Sequence, residues 1–279
     1  MHQNIEKPIR EIPSWLIPVS AVALTLLIAF VSLTGIFVDD FYGRETINWQ
    51  LQSGGQDIFN LLVIAPLLVI CAMNHKRNRG FTTMLFLGIL IYNVYSFIIY
   101  AFDLHFNRIF LAYCLVVCIS LYTLLYILFV YLNQPMNASN RKHYPFKITG
   151  AYFLLTSVLF GGLWMSEIIP AVISNTLPMN LAVVNLPTNP VHVLDLSIIL
   201  PGIFVTGIML LRKDGVAFLM APVFLIFIAL MDTTIALLSV ILKVQGEDGS
   251  FYVAGGMVLL ALISVSILFA GFKSQFTIK

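Results

Sequence analysis

Charge is what this sequence has least of. Asp, Glu, Lys and Arg together make up 10% of its 279 residues, against about a quarter in a soluble domain. A water-soluble fold of this length still exposes roughly a quarter of its unfolded surface, and there are too few polar residues here to cover it. Cysteine is nearly missing as well. Cys71, Cys114 and Cys118 all sit inside apolar runs, and an odd number of such thiols offers neither a disulfide framework nor zinc spacing. There is no H-E-x-x-H, no G-x-S-x-G and no phosphate-binding glycine loop. No pair of histidines falls where two spans would hold a haem. Basic residues are scattered over short segments, which excludes nucleic acid as a partner. No metal and no cofactor is expected, and an enzyme is the less expected outcome.

What the chain has instead is apolar length. Hydrophobic residues make up 59% of it and its mean hydropathy is +0.95. Crossing a bilayer core takes about 20 apolar residues. Eight runs qualify or come close, at 14–38, 57–74, 81–102, 109–132, 148–173, 190–211, 216–243 and 251–272. The expected fold is an all-α integral membrane protein, a polytopic bundle of eight transmembrane helices in one domain over 14–272. Short tails at 1–13 and 273–279 flank it. Helices are required because a segment in lipid must satisfy its own backbone polar groups, and the continuous runs lack the alternation of a barrel. The first run is too long for a cleavable leader and is followed by further spans, so it is read as an anchor. The second run is short and holds Pro66, and Asp57 at its start reads as a charge favoured at a helix N-terminus. The preceding 39–56 segment, with Trp49 and Gly54-Gly55, reads as an outer loop.

Orientation follows from the Lys and Arg of the short loops. With the N-terminus inside, the inner segments hold Lys7, Arg10, Lys76, Arg77, Arg79, Arg141, Lys142, Lys147, Arg212, Lys213, Lys273 and Lys279. The outer ones hold only Arg44, Arg108 and Lys243. Both termini are therefore expected in the cytoplasm, and a bacterial cytoplasmic membrane is the expected location. The glycosylation-type tripeptide Asn137-Ala138-Ser139 would then lie inside and go unused.

A faint internal repeat appears when the chain is shifted by 135 residues. Pro66 meets Pro201, Arg77 meets Arg212, Gly80 meets Gly215, Asp57 meets His192 and Asn60 meets Asp195. If it is real, spans 1–4 and 5–8 form a 4+4 parallel pseudo-repeat about an axis along the membrane normal, a plan used by transporters.

Polar groups inside the spans gather toward one end. Ionisable residues within spans are costly and tend to be functional. At the ~1.5 Å rise of a helix, Asp232 lies about 24 Å above the inner end of span 7, and Asp195 roughly 7 Å below the outer end of span 6. Asn60, Tyr92, Tyr95 and Asp103 fall at the outer ends of spans 2 and 3, and His192 shares a face with Asp195 at spacing i, i+3. Asp232, Asp195, His192, Asn60, Tyr92, Tyr95 and Asp103 are therefore expected to line an outward-facing polar cavity. Pro201-Gly202 would supply a hinge in span 6. The bland alternatives are a solvated helix end for Asp103, a headgroup contact for Glu167, and a structural hydrogen bond from Asp232 to Asn93, Tyr95 or His192.

Three functions fit such a chain beyond contact with the lipid bilayer. A cavity would bind, sense or transport a small solute or ion. A non-catalytic subunit or assembly factor would use the polar cluster against a membrane partner or a second copy. A membrane-embedded enzyme acting on lipid headgroups would use His192 as acid and base, but lacks a visible nucleophile or metal.

Overall fold

The computed structural model describes residues 11–133, 144–178, 181 and 184–276. Lys7, Arg10, Arg141, Lys142, Lys279, the Asn137-Ala138-Ser139 tripeptide and the side chain of Lys273 lie outside the described residues. Eight long helices follow in order: α1 (Leu16–Phe37), α2 (Ile47–Asn74), α3 (Arg79–Asp103), α4 (Phe110–Leu132), α5 (Phe146–Ser174), α6 (Pro190–Leu211), α7 (Gly215–Val244) and α8 (Phe251–Phe276). Each is long and apolar enough to cross a bilayer. No strand occurs among the described residues. Where the chain turns, side chains close the helix starts. Asn78, Asn189 and Asp214 accept backbone N–H groups at the starts of α3, α6 and α7, satisfying donors that have no intrahelical partner.

The largest departure from expectation is α2. It begins at Ile47, ten residues earlier than the apolar run, with the Thr46 hydroxyl accepting the Trp49 N–H at 3.3 Å. Asp57 is therefore not at a helix start but in mid-helix, fully buried. The glycine pair does not break the helix. At Gly55 a Cβ would lie 2.6 Å from Leu238 and 2.8 Å from Ile241 of α7, so the missing side chain sets a close helix–helix approach.

α2 and α6 share an irregularity. Each contains one π-helical turn, at Asn60–Ile64 and Asp195–Ile199. The turns start 135 residues apart (195 − 60), and each is followed two residues beyond its end by a proline, Pro66 or Pro201. The cause is local. A proline within a helix lacks an N–H and its ring presses on the carbonyl four residues earlier. A wider i→i+5 turn makes room, and Ala65 N–H and Leu200 N–H accordingly donate to Asn60 O and Asp195 O. π-turns often mark functional sites.

Packing follows the same correspondence between halves. α1 packs on α2 as α5 packs on α6, and α3 on α4 as α7 on α8. A hydroxyl pair links the outer helices of each half, Thr123 with Ser20 and Tyr152 with Ser264. α3 and α7 cross at the centre. A Cβ at Gly88 would lie 2.5 Å from Ile226 and 3.1 Å from Val223 O, so their backbones meet there. These two helices carry the greatest shares of buried residues among the spans, 61% and 50%. In α7 every residue from Ala221 to Ile228 is buried. This plug fills the end of the bundle that carries Arg77, Arg79, Arg212 and Lys213.

Candidate functional site

Above the α3–α7 crossing the helices part around a cavity of about 490 Å³, within the size range of small-molecule sites. Its floor is apolar, with Ile199, Ile203, Phe227 and Ile228. Its walls come from both halves: α2 and α3 on one side, α5, α6 and α7 on the other. Trp49, Gln52, Ser53 and Gln56 reach it from the N-terminal part of α2, the stretch read from sequence as a loop.

Four of the seven expected residues line this cavity: Tyr95, Asp103, Asp195 and Asp232. The carboxylate of Asp195 bridges the halves, accepting from Tyr95 Oη of α3 at 3.0 Å and from Trp164 Nε1 of α5 at 2.8 Å. Both donors are neutral, so they orient the charge without cancelling it. Asp232 is 3% exposed and its Oδ2 has no hydrogen-bond partner. The structural bond to Asn93, Tyr95 or His192 is not made, and Asn93 is itself buried without a partner. Asp103 is 5% exposed with Oδ2 unpaired. The solvated-end reading therefore does not hold for it, although it is the last residue of α3.

Tyr92 and Asn60 lie one layer behind the wall. Gln56 Nε2 donates to Tyr92 Oη at 2.6 Å and to Asn60 Oδ1 at 3.1 Å. Tyr92 Oη lies 3.0 Å from Thr234 Oγ1, which itself donates to Leu230 O at 2.9 Å. The Thr234 hydroxyl has one proton, so that proton is spent on the carbonyl. The order is then fixed as Gln56 to Tyr92 to Thr234 to Leu230. Such a chain is cooperative and ties α2, α3 and α7 together at the wall of the cavity.

His192 does not face the cavity. Its ring packs on Trp164 with centroids 4.6 Å apart, and Nε2 is 3.9 Å from Glu167 Oε2. Glu167 accordingly turns inward rather than to the headgroups, leaving Oε1 buried and unpaired. Pro201 and Gly202 follow the α6 π-turn, so the irregularity of α6 falls just before the expected hinge.

Two polar clusters beside the cavity were not read from the sequence. Asp57 accepts from Tyr42 Oη at 2.6 Å and Tyr100 Oη at 2.8 Å. Burial and the Asp57 carboxylate hold the Tyr42 proton well above the usual phenol range. Glu45 accepts the His105 N–H at 2.8 Å and meets His105 Nδ1 at 3.0 Å. Trp164, Gln56 and Thr234 were missed as well. The one available signal was Trp49, Ser53, Gln56 and Asn60, which continue a helical face straight through the glycine pair.

Fold and site together define a multi-pass helical membrane protein with a largely apolar cavity among its helices, lined in part by aspartates. No protein-family model, curated protein or solved structure matches the chain.

Proposed function

We propose that this protein binds a small solute in the cavity between its halves and carries it across the membrane. One observation carries the reading: Asp103 and Asp232 are buried carboxylates with unpaired oxygens in a cavity of about 490 Å³. An unpaired charge removed from water is expensive, and a ligand that completes it gives the arrangement a purpose. The position of the cavity supports transport over a purely static site. It lies where the halves meet, beside the π-turns of α2 and α6, as in transporters whose discontinuous helices from two repeats frame the substrate. The Gly88 crossing seals the other end, so a rocking of one half against the other would exchange the open side. The cavity opens away from Lys76, Arg77, Arg79, Lys147, Arg212 and Lys213, which supports an outward-open state with both termini in the cytoplasm of a bacterial cell.

A solute screen on purified protein tests this. A ligand that binds only the folded state raises its melting temperature. At least one small solute should stabilise the wild type and fail to stabilise Asp232→Asn, and the same solute should accumulate in proteoliposomes. An Asp232→Asn protein that folds and responds to every solute as the wild type does would remove the site from the account. A stable co-purifying membrane partner, with no solute effect, would favour the assembly-factor role instead.

A further inference from the structure

Resting on the solute-binding reading, we infer that the cavity selects an organic cation, an amine or quaternary ammonium compound with an apolar body. Asp103, Asp195, Asp232 and Asp248 line it, and no Lys, Arg or His does so among the described residues. The nearest basic groups are occupied or turned away. Arg44 donates to Phe106 O at 3.2 Å, His105 is held by Glu45, His192 is packed against Trp164, and Lys243 is exposed. The donors on Asp195 are both uncharged. Asp232 and Asp103 thus line the cavity with no counter-ion from the chain, and one oxygen of each is buried without a partner.

The rest of the lining sets the kind of cation. Trp49, Tyr95, Tyr100, Phe160, Trp164 and Phe227 are all in the wall or floor. Aromatic rings attract cations through their negative faces, most strongly where water is excluded. A bare metal ion needs several oxygens converging at about 2.0–2.6 Å, and no group of three His, Cys, Asp or Glu side chains that could hold a metal exists among the described residues. An anion or zwitterion would leave its own negative charge facing carboxylates. Among the buried donors of the lining, only Trp49 Nε1 is without a partner, and it carries no formal charge to set against a carboxylate.

Charged thiol reagents test the inference without knowledge of the physiological ligand. Cys71, Cys114 and Cys118 are first replaced by alanine. Ser96→Cys on α3 and Thr156→Cys on α5 then place one thiol each in the cavity wall, one per half. Each is reacted with a cationic trimethylammonium-ethyl and an anionic sulfonatoethyl methanethiosulfonate, and rates are divided by those on free cysteine. The cationic reagent should be favoured by about tenfold or more, as expected for a cleft of one charge sign. Asp232→Asn should shrink that ratio, and tetrapropylammonium should slow modification while a neutral isostere does not. Equal normalised rates with no tetrapropylammonium protection would overturn the cation inference and leave an accessible solute cavity standing. Failure of both thiols to react with either reagent, in a folded protein, would instead remove the cavity and with it the solute-binding reading.

Discussion

Replacing Tyr95 by phenylalanine removes one hydroxyl and little else, which makes it a clean probe of the bridge between the halves. Tyr95 Oη donates to Asp195 Oδ1 at 3.0 Å from a side chain that is 4% exposed. A hydrogen bond to a charged acceptor contributes about 1.5–3 kcal/mol. Asp195 is only half-buried and borders the cavity, so water can replace part of the lost bond and the expected cost is near ~1.5 kcal/mol. Trp164→Phe should cost at least as much, because the 2.8 Å Nε1 bond is lost together with part of a ring packed on His192. Asp195→Asn changes the terms. Its amide oxygen can still accept from Trp164, and its NH2 can donate to the Tyr95 oxygen, so both contacts persist as neutral hydrogen bonds. In that background Tyr95→Phe should cost only about 1 kcal/mol or less, a coupling of at least ~0.5 kcal/mol between two residues in contact. Reversible unfolding in mixed micelles, followed by far-ultraviolet circular dichroism, measures the wild type and the four variants. The reasoning is refuted if Tyr95→Phe lies within ~0.5 kcal/mol of wild type, the ordinary range for a surface change, and adds independently to Asp195→Asn.

Other consequences are equally specific. Gly88→Ala should destabilise by about 1–3 kcal/mol, the usual cost of overpacking, because the new methyl meets Ile226 and Val223 O. Gly54→Ala, with nothing within 4 Å of its Cβ position, should be neutral or stabilising by up to ~1 kcal/mol; denaturation of the pair compares them directly. Burial and the neighbouring Arg79 charge lower the pKa of His75, whose two ring nitrogens are buried without partners. Its unfolded pKa of ~6.5 then exceeds the folded one, so the unfolded chain binds the extra proton and stability falls as pH drops through and below ~6.5. His75→Phe should flatten the acid limb of the stability curve, and an unchanged limb would contradict the burial of a neutral imidazole.

The fold was legible because lipid leaves so few alternatives. Uninterrupted apolar runs set eight spans, and ends marked by Asn189, Pro190 or Asp214 fell within a residue or two of the observed helices. The failure at α2 has the same origin. Its N-terminal part is polar because it faces a cavity, and a polar, glycine-containing stretch next to an apolar run looks like a loop. That misplacement made a buried, doubly bonded Asp57 look like a helix-end charge. Gathering of Asp195, Asp232, Asp103 and Tyr95 at one level was readable from helix direction and the rise per residue. Which groups would bond was not. Trp164 and Asp195 are 31 residues apart and Tyr92 and Thr234 are 142 apart, and nothing local marks either pair. His192 illustrates the limit, since sharing a face with Asp195 did not bring it to the cavity once Trp164 filled the space between α5 and α6.

The central claim is a water-filled cavity open at one end of the bundle and sealed at the α3–α7 crossing. A cysteine scan along α7, from Gly215 to Leu242 in a cysteine-free background, reads this directly with a membrane-impermeant maleimide applied from each side. Met231, Ile235 and Ser239 should react, and only from the face opposite Arg212 and Lys213. Reactivity should stop at Phe227, with Ala221 and Phe224 silent from both faces. Reaction continuing below Phe227, or no reaction at Met231 and Ile235 in a folded protein, would contradict it.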